Sequence, residues 1–350
     1  MGFYFGHNRL EIVNKYRYLG ILFKNNGSLK HAGEHLANRA RKAFYSLKSK
    51  LPHCDNFSPK TWLKLYESTI LPIFTYGSEV WMTDLSINLD KLPFEKVQNM
   101  IFKDILGVHG KASNIAVHTE LGVYPACFKS YSLMFKYYKR LCKIECDTDC
   151  KNSLLRSAFT EDKSLKKSWF KSIITLQKKF NLSMLEISET QFMTDIKKYY
   201  TNKLTNCLKN IELNKTGKFY FYSTILGKFE LQKYLEFPLA KELRSLLTIL
   251  RISAHSLPIE TGRYNNTLKE QRFCKHCPTS VENESRFILY CSGFYNLWLT
   301  RDYKEIFPTS RVDADLIKDI LNPSNINNAK LICRFLKEAN AIRNEDINTG

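Results

Sequence analysis

The apolar residues of this chain change their spacing at the Asn25-Asn26-Gly27-Ser28 turn, and that change limits the fold more than any other feature. Before the turn, Phe3, Phe5, Leu10, Ile12, Tyr16, Tyr18, Ile21 and Phe23 sit in short runs broken at Gly6-His7-Asn8 and Asn14-Lys15. Runs of that length between turn residues predict a small β-hairpin or meander. After the turn, Leu36, Ala40, Phe44 and Leu47 recur at the spacing of an amphipathic helix.

Helix signals continue down the chain. Ser58-Pro59 supplies an N-cap and a first-turn proline, and Trp62, Leu65, Tyr66, Thr69 and Ile70 keep helical spacing until Pro72. Pro93 starts a third helix, with Phe94, Val97, Ile101, Ile105 and Leu106 on one face and Gly107 near its end. The acidic stretch Glu145-Cys146-Asp147-Thr148-Asp149 interrupts the apolar pattern as a linker does. The expected fold is mainly α: a β-hairpin over 1–25, a helical bundle over 26–142, a basic helical region over 143–249, a small cysteine-containing unit over 250–300 and a helical tail over 301–350.

Charge then narrows the partners. Lys and Arg number 53 against 34 Asp and Glu, a net +19, and a surplus of that size makes polyanions the natural partners. On the first helix Arg39, Arg41, Lys42 and Lys48 spread over the polar faces, and further along Lys166, Lys167 and Lys171 surround Trp169 and Phe170. Cations interleaved with aromatics supply phosphate contacts and stacking faces. The competing reading is equally physical: solvated lysines on a helix whose aromatics are core. Arg251 and Arg263 are further phosphate-contact candidates. Neither a membrane partner nor a small-molecule substrate is expected, since no apolar run approaches the roughly 18 residues of a span. The 10 cysteines are scattered and no secretory signal opens the chain, so reduced thiols in an intracellular compartment, nuclear or cytoplasmic, are expected.

Cys274-Lys275-His276-Cys277 followed by Cys291 is the strongest local motif, because a C-x2-C turn places two thiolates about one zinc ion while a third arrives from a later element. Arg286 occupies the position where spacing would put a fourth ligand, and a guanidinium has no lone pair to give. A single weakly held Zn2+ with an uncertain fourth ligand therefore stands against three ordinary buried or free cysteines. Polymerase chemistry needs carboxylates converging on magnesium, and the chain has no adjacent Asp pair. Asp147 and Asp149 are the nearest approach, in a polar linker; no catalytic Mg2+ site and no enzyme activity are expected. His53, His109 and His118 lack a paired nucleophile and read as structural.

Three stretches, in order, resemble the C-terminal portion of reverse transcriptases of LINE-type, non-LTR retrotransposons. The first runs from Leu10 to Ile21 and contains Tyr18-Leu19-Gly20, similar to the hairpin that ends the family's palm and helps hold the primer terminus. The second is Leu71-Pro72-Ile73-Phe74-Thr75-Tyr76-Gly77-Ser78-Glu79-Val80-Trp81, followed by Ile105-Leu106-Gly107-Val108 and Glu120-Leu121-Gly122-Val123-Tyr124-Pro125, similar to the thumb. The third is Ser256 to Tyr264 leading into Cys274, Cys277 and Cys291, similar to the cysteine-histidine segment, with Arg286 where the family usually has histidine. The resemblance implies a palm remnant at 1–25, a thumb-like domain at 26–142 and a degenerate zinc knuckle at 250–300. It also implies RNA or DNA as partner, contacted by Tyr18, Leu19 and Gly20 and by the thumb cations. The expected function is a non-catalytic nucleic-acid-binding remnant; the alternatives are a polymerase component that works only with an upstream palm, or an untasked relic.

Overall fold

The computed structural model describes residues 3–27, 29–82, 91–146, 153–166, 168–183, 185–214, 217–300, 303–304, 306–307 and 314–348. Asp147, Asp149 and Lys167, and with them part of the proposed linker, lie outside the described residues. Among the described residues the chain is mainly helical, with its strands at the N-terminal end. Strands β1 (Phe3–Phe5) and β2 (Asn8–Leu10) form one antiparallel hairpin, and β3 (Lys15–Tyr18) and β4 (Ile21–Lys24) a second. In the second, Tyr18 pairs with Ile21, so Leu19 and Gly20 are its two-residue loop.

Helix α1 (Lys30–Lys50) buries Leu36, Ala40 and Phe44 of the predicted stripe, leaves Leu47 half-buried, and buries Ala32 as well. Helix α2 (Pro59–Leu65) starts at Ser58, whose hydroxyl accepts the Thr61 backbone N–H. The spacing predicts one helix running to Pro72; instead the backbone widens into a π-turn at Tyr66–Ile70 before α3 (Leu71–Thr75). Proline has no N–H to continue the ladder, and the wider turn lets Leu71 bond to the Tyr66 carbonyl just before it. Next come α4 (Ser78–Trp81) and α5 (Pro93–Leu106). Gly107 ends α5 with φ +71°, its N–H on the Asp104 carbonyl and that of Val108 on Lys103, the pattern of a left-handed C-cap.

Later helices are α6 (Asn114–Leu121), α7 (Cys127–Cys146), α8 (Ser153–Ser164), α9 (Trp169–Phe180), α10 (Glu189–Asn214), α11 (Tyr220–Ile225), α12 (Lys241–Arg251), α13 (Pro258–Tyr264), α14 (Tyr295–Trp298), α15 (Ala314–Leu321) and α16 (Ile326–Asn348). Packing gathers them into two compact units, each made of interleaved chain segments. The first takes residues 1–50, 65–98 and 124–200. Its centre is aromatic: Trp81 meets Phe94 edge-on, Phe94 meets Phe74, and Phe135 stacks on Phe192 at 4.6 Å. Gly33 on α1 lies where a Cβ would come within 3.0 Å of the Trp81 ring, so the missing side chain lets that indole pack against the helix.

The second unit takes residues 51–64, 99–123 and 201–350, and α12 packs along α16 at its centre. A polar knot is buried there. Arg251 and Glu120, neither accessible to solvent, pair through Nη2–Oε1 at 2.9 Å and Nε–Oε2 at 3.1 Å. Tyr234 donates to the same carboxylate at 2.7 Å, and the Arg251 Nη1 donates to the Leu321 carbonyl and Asn322. Two opposite charges with all their hydrogen bonds made are tolerated in an interior that would reject either alone. His118 is structural here as well, held between Asn99 and the Val123 carbonyl.

Candidate nucleic-acid interface and cysteine cluster

The β3–β4 loop is a tight turn with both central residues at positive φ, Leu19 at 48° and Gly20 at 85°. Such a loop matches the twist of its strands but suits glycine or asparagine, so Leu19 carries strain of about 1 kcal/mol. Its side chain is 70% exposed, and no buried contact offsets that cost. A Cβ on Gly20 would lie 3.5 Å from the Tyr76 ring and 3.8 Å from Arg39 Nη1. The loop thus sits on α1 beside an exposed tyrosine, with Tyr18 exposed on the same hairpin.

Below the loop the charges gather. His35 lies one turn before Arg39 on α1, and burial first, then Arg39, Arg17 and Lys42, hold its imidazole below the usual histidine range. Its Nε2 is buried without a hydrogen-bond partner. Arg17 comes from β3, so strand and helix bring three cations to one imidazole. Arg39, Arg41 and Lys42 are exposed and form no ion pair among the described residues; Lys48 is half-buried. The sequence names Arg39, Arg41 and Lys42 as candidates but gives no sign that Arg17 and His35 lie beside them. The missing information was the long-range register that docks β4 against α1.

The middle basic stretch resolves differently. Lys166 is exposed in the turn after α8, and Lys171 is exposed in the first turn of α9. The aromatics between them are packing residues. Trp169 donates its indole N–H to the Glu79 carbonyl and sets its ring edge-on against Tyr137, and Phe170 packs on Phe159 and Tyr138. Tyr200 likewise lies against Tyr124 and Phe128.

Arg251 corrects the expectation that it touches phosphate: it is fully buried, and its donors are taken by Glu120, Gln232, Leu321 and Asn322. A cation without solvent contact cannot release counterions from a strand. Arg263 is partly exposed but engaged, its Nε 3.1 Å from Glu260 Oε1 and its Nη2 donating to the Gly217 carbonyl.

In the second unit Cys274, Cys277 and Cys291 bring their sulfurs within 4.8 Å of one another. The Cys274–Cys277 turn is closed by the Cys277 N–H on the Cys274 carbonyl, and a bridge between Phe273 and Val281 anchors it. Cys291 follows a π-helical turn, Arg286–Tyr290, and its Sγ is 3.6 Å from that of Cys274. Thiolates around tetrahedral zinc stand about 3.8 Å apart, given Zn–S bonds near 2.3 Å, so the three sulfurs are spaced to hold a metal ion.

Their protons are unequally held. Burial pushes Cys291 up to about 12 and raises Cys274 as well. For Cys277 burial works the same way, but hydrogen bonds from the Ser292 hydroxyl and backbone, Cys291 and the Arg286 side chain bring it down to about 7. The arginine that stands at the fourth-ligand position therefore lies against the cluster and steadies one thiolate. Among the described residues no fourth His, Cys, Asp or Glu joins the three sulfurs. His276 sets its ring edge-on to Phe294 and lies against Gly293. No helix among the described residues is long and apolar enough to cross a membrane. No protein-family model, curated protein or solved structure matches the chain.

Proposed function

We propose that this protein binds RNA or DNA through the phosphate backbone and does not catalyse its synthesis, as a nucleic-acid-binding remnant of a LINE-type reverse transcriptase. One observation carries the reading: Arg17, Arg39 and Lys42 converge on His35 beside the exposed Tyr18, Leu19 and Tyr76. Cations without acidic partners attract phosphates, and adjacent exposed rings stack on unpaired bases. Lys166 and Lys171 add exposed charge in the same unit. Contacts of this kind read no base edges, so affinity has little sequence preference. The metal assigned to the cysteine cluster is zinc, the ion for which three thiolates and a small tetrahedral site are suited. Cys274, Cys277 and Cys291 would hold it, with the fourth position left to a ligand other than Arg286. Such a site would tie the Cys274 turn to Cys291 after the Arg286–Tyr290 turn and supply folding energy rather than chemistry. With its cysteines kept as reduced thiols, the protein would work inside the cell.

Fluorescence anisotropy with a labelled single-stranded oligonucleotide, from 50 to 300 mM salt, tests the reading. Affinity should fall steeply with salt, and the triple variant Arg17→Ala, Arg39→Ala, Lys42→Ala should flatten the log–log slope by about 2, three phosphates at roughly 0.7 each. Absence of binding at the lowest salt, or an unchanged slope in the variant, refutes it. Primer extension with the same protein should yield no product.

A further inference from the structure

The second unit contains a cavity of about 330 Å³ between α11, α13 and the segment that leads to the Arg286–Tyr290 turn. Tyr220 and Phe221 of α11 and Ile259 of α13 supply apolar surface, and Lys218 and Lys269 stand among the lining residues. Glu260 of α13 also lines it and is 3% exposed. Its Oε1 faces Arg263, but its Oε2 is buried with no hydrogen-bond partner. Buried carboxylate oxygens are seldom left in that state, because losing water without gaining a donor costs free energy.

Two of the other polar side chains here are spent on the fold, while the Arg263 Nε, 3.1 Å from Glu260 Oε1, makes no hydrogen bond. Arg272 gives its donors to the Thr267 and Ile259 carbonyls, and Glu284 accepts from Ser253 and His255. What remains is one unused buried acceptor, aromatic surface on one side, and two lysines that form no ion pair among the described residues.

We infer that this cavity binds a guanine nucleotide, with the base donating to Glu260 and the phosphate held by Lys218 and Lys269. Guanine sets N1–H and the N2 amino group side by side, so that one donor would reach Oε2 while the other shares Oε1, through its second lone pair, with Arg263. Adenine and cytosine put a ring-nitrogen acceptor beside their amino group, which would face the carboxylate lone pairs. Uracil offers a single donor between two acceptors. The volume lies at the lower end of ligand pockets, enough for a base with its sugar and phosphate toward solvent. Tyr220 and Phe221 offer rings on which a base can stack. Burial raises the Glu260 carboxyl above its ordinary range while Arg263 pulls it back, so donors from a base would complete what the arginine begins. The inference goes beyond the phosphate-binding surface of the first unit and does not rest on it.

Isothermal titration of the full chain with guanosine, adenosine and inosine 5′-monophosphates and with inorganic phosphate decides the matter. The guanine nucleotide should bind at least tenfold more tightly than the adenine one, with inosine between them because it keeps N1–H and lacks the amino group. Phosphate alone should not compete at matched concentration. Glu260→Gln, whose amide pairs a donor with an acceptor, should abolish the preference. Lys269→Ala, at an exposed position, should weaken the guanine and adenine nucleotides by the same few-fold factor. Should Glu260→Gln fail to fold, the ratios in the unaltered protein and the lysine variant carry the test. Equal affinities for guanine and adenine, no saturable binding, or a guanine preference that survives Glu260→Gln overturns the inference. A single-stranded oligonucleotide with one guanosine, compared with its adenosine counterpart, assigns the source. Preference within the strand means an extruded base, and preference only among free nucleotides means a free ligand. Strand affinity lost on Arg39→Ala and Lys42→Ala is read in a separate titration, so failure of either reading is seen without the other.

Discussion

Arg251→Met should cost the second unit most of its local stability and leave phosphate binding untouched. The substitution removes six donated hydrogen bonds, three to Glu120 and one each to Gln232, Leu321 and Asn322, and strands a carboxylate that has no access to water. Glu120 would keep the Tyr234 hydroxyl as its side-chain donor, which is not enough for a buried charge. Breaking one half of a buried ion pair costs about 3–5 kcal/mol. At roughly 1.4 kcal/mol per factor of ten, that is a fall of about two to more than three powers of ten in amide-exchange protection along α12. Exchange measured residue by residue suits a chain with two packing units better than one global melting curve. Adding Glu120→Gln should restore part of the loss, because the stranded charge is then gone. A variant that keeps α12 protected, or one that stays folded yet binds oligonucleotide less well, would refute the placement of Arg251 in the interior.

Other expectations follow from single residues. Arg286→His should raise zinc affinity sharply, since a neutral imidazole can complete the tetrahedron that a guanidinium cannot; competition with a chromophoric chelator measures it, and equal affinities in the two forms count against the assignment. Gly122→Ala should destabilise the second unit by about 2–5 kcal/mol, because Gly122 has φ +63° and its new Cβ would stand 2.5 Å from the Glu230 and Leu231 backbone; chemical denaturation reads the loss. For Glu284, burial pushes the carboxyl up, but hydrogen bonds from His255 and Ser253 outweigh it and leave it below its ordinary value of 4.5. Its contribution is therefore full above pH 4.5 and is lost as pH falls through the folded-state value. His255→Ala should move the acid-induced opening of this segment to higher pH, followed by amide exchange during acid titration.

How much of this was legible beforehand depends on the range of the interaction. Leu36, Ala40 and Phe44 are buried as their spacing predicts, Ser58 caps α2, and Gly107 ends α5, because each depends on neighbours within a turn or two. The turn at Gly6-His7 and the Cys274–Cys277 turn are local in the same way. Even locally, Pro72 predicts a stop, whereas the backbone widens into a π-turn and goes on.

Composition and periodicity by themselves determined a helical chain with strands at one end, a surplus of cations and a cysteine turn. Which cations face solvent was a tertiary decision. Arg39 and Arg251 are the same residue type on amphipathic helices, yet one is exposed beside Arg17 and the other is buried against Glu120, 131 residues away. The approach of Arg286 to Cys277 and the unused oxygen of Glu260 were decided in the same way. Helical and turn patterns repeat within a few residues and are written in the spacing of side chains. A charge's fate depends instead on which distant segment removes its water, and only the packed chain fixes that.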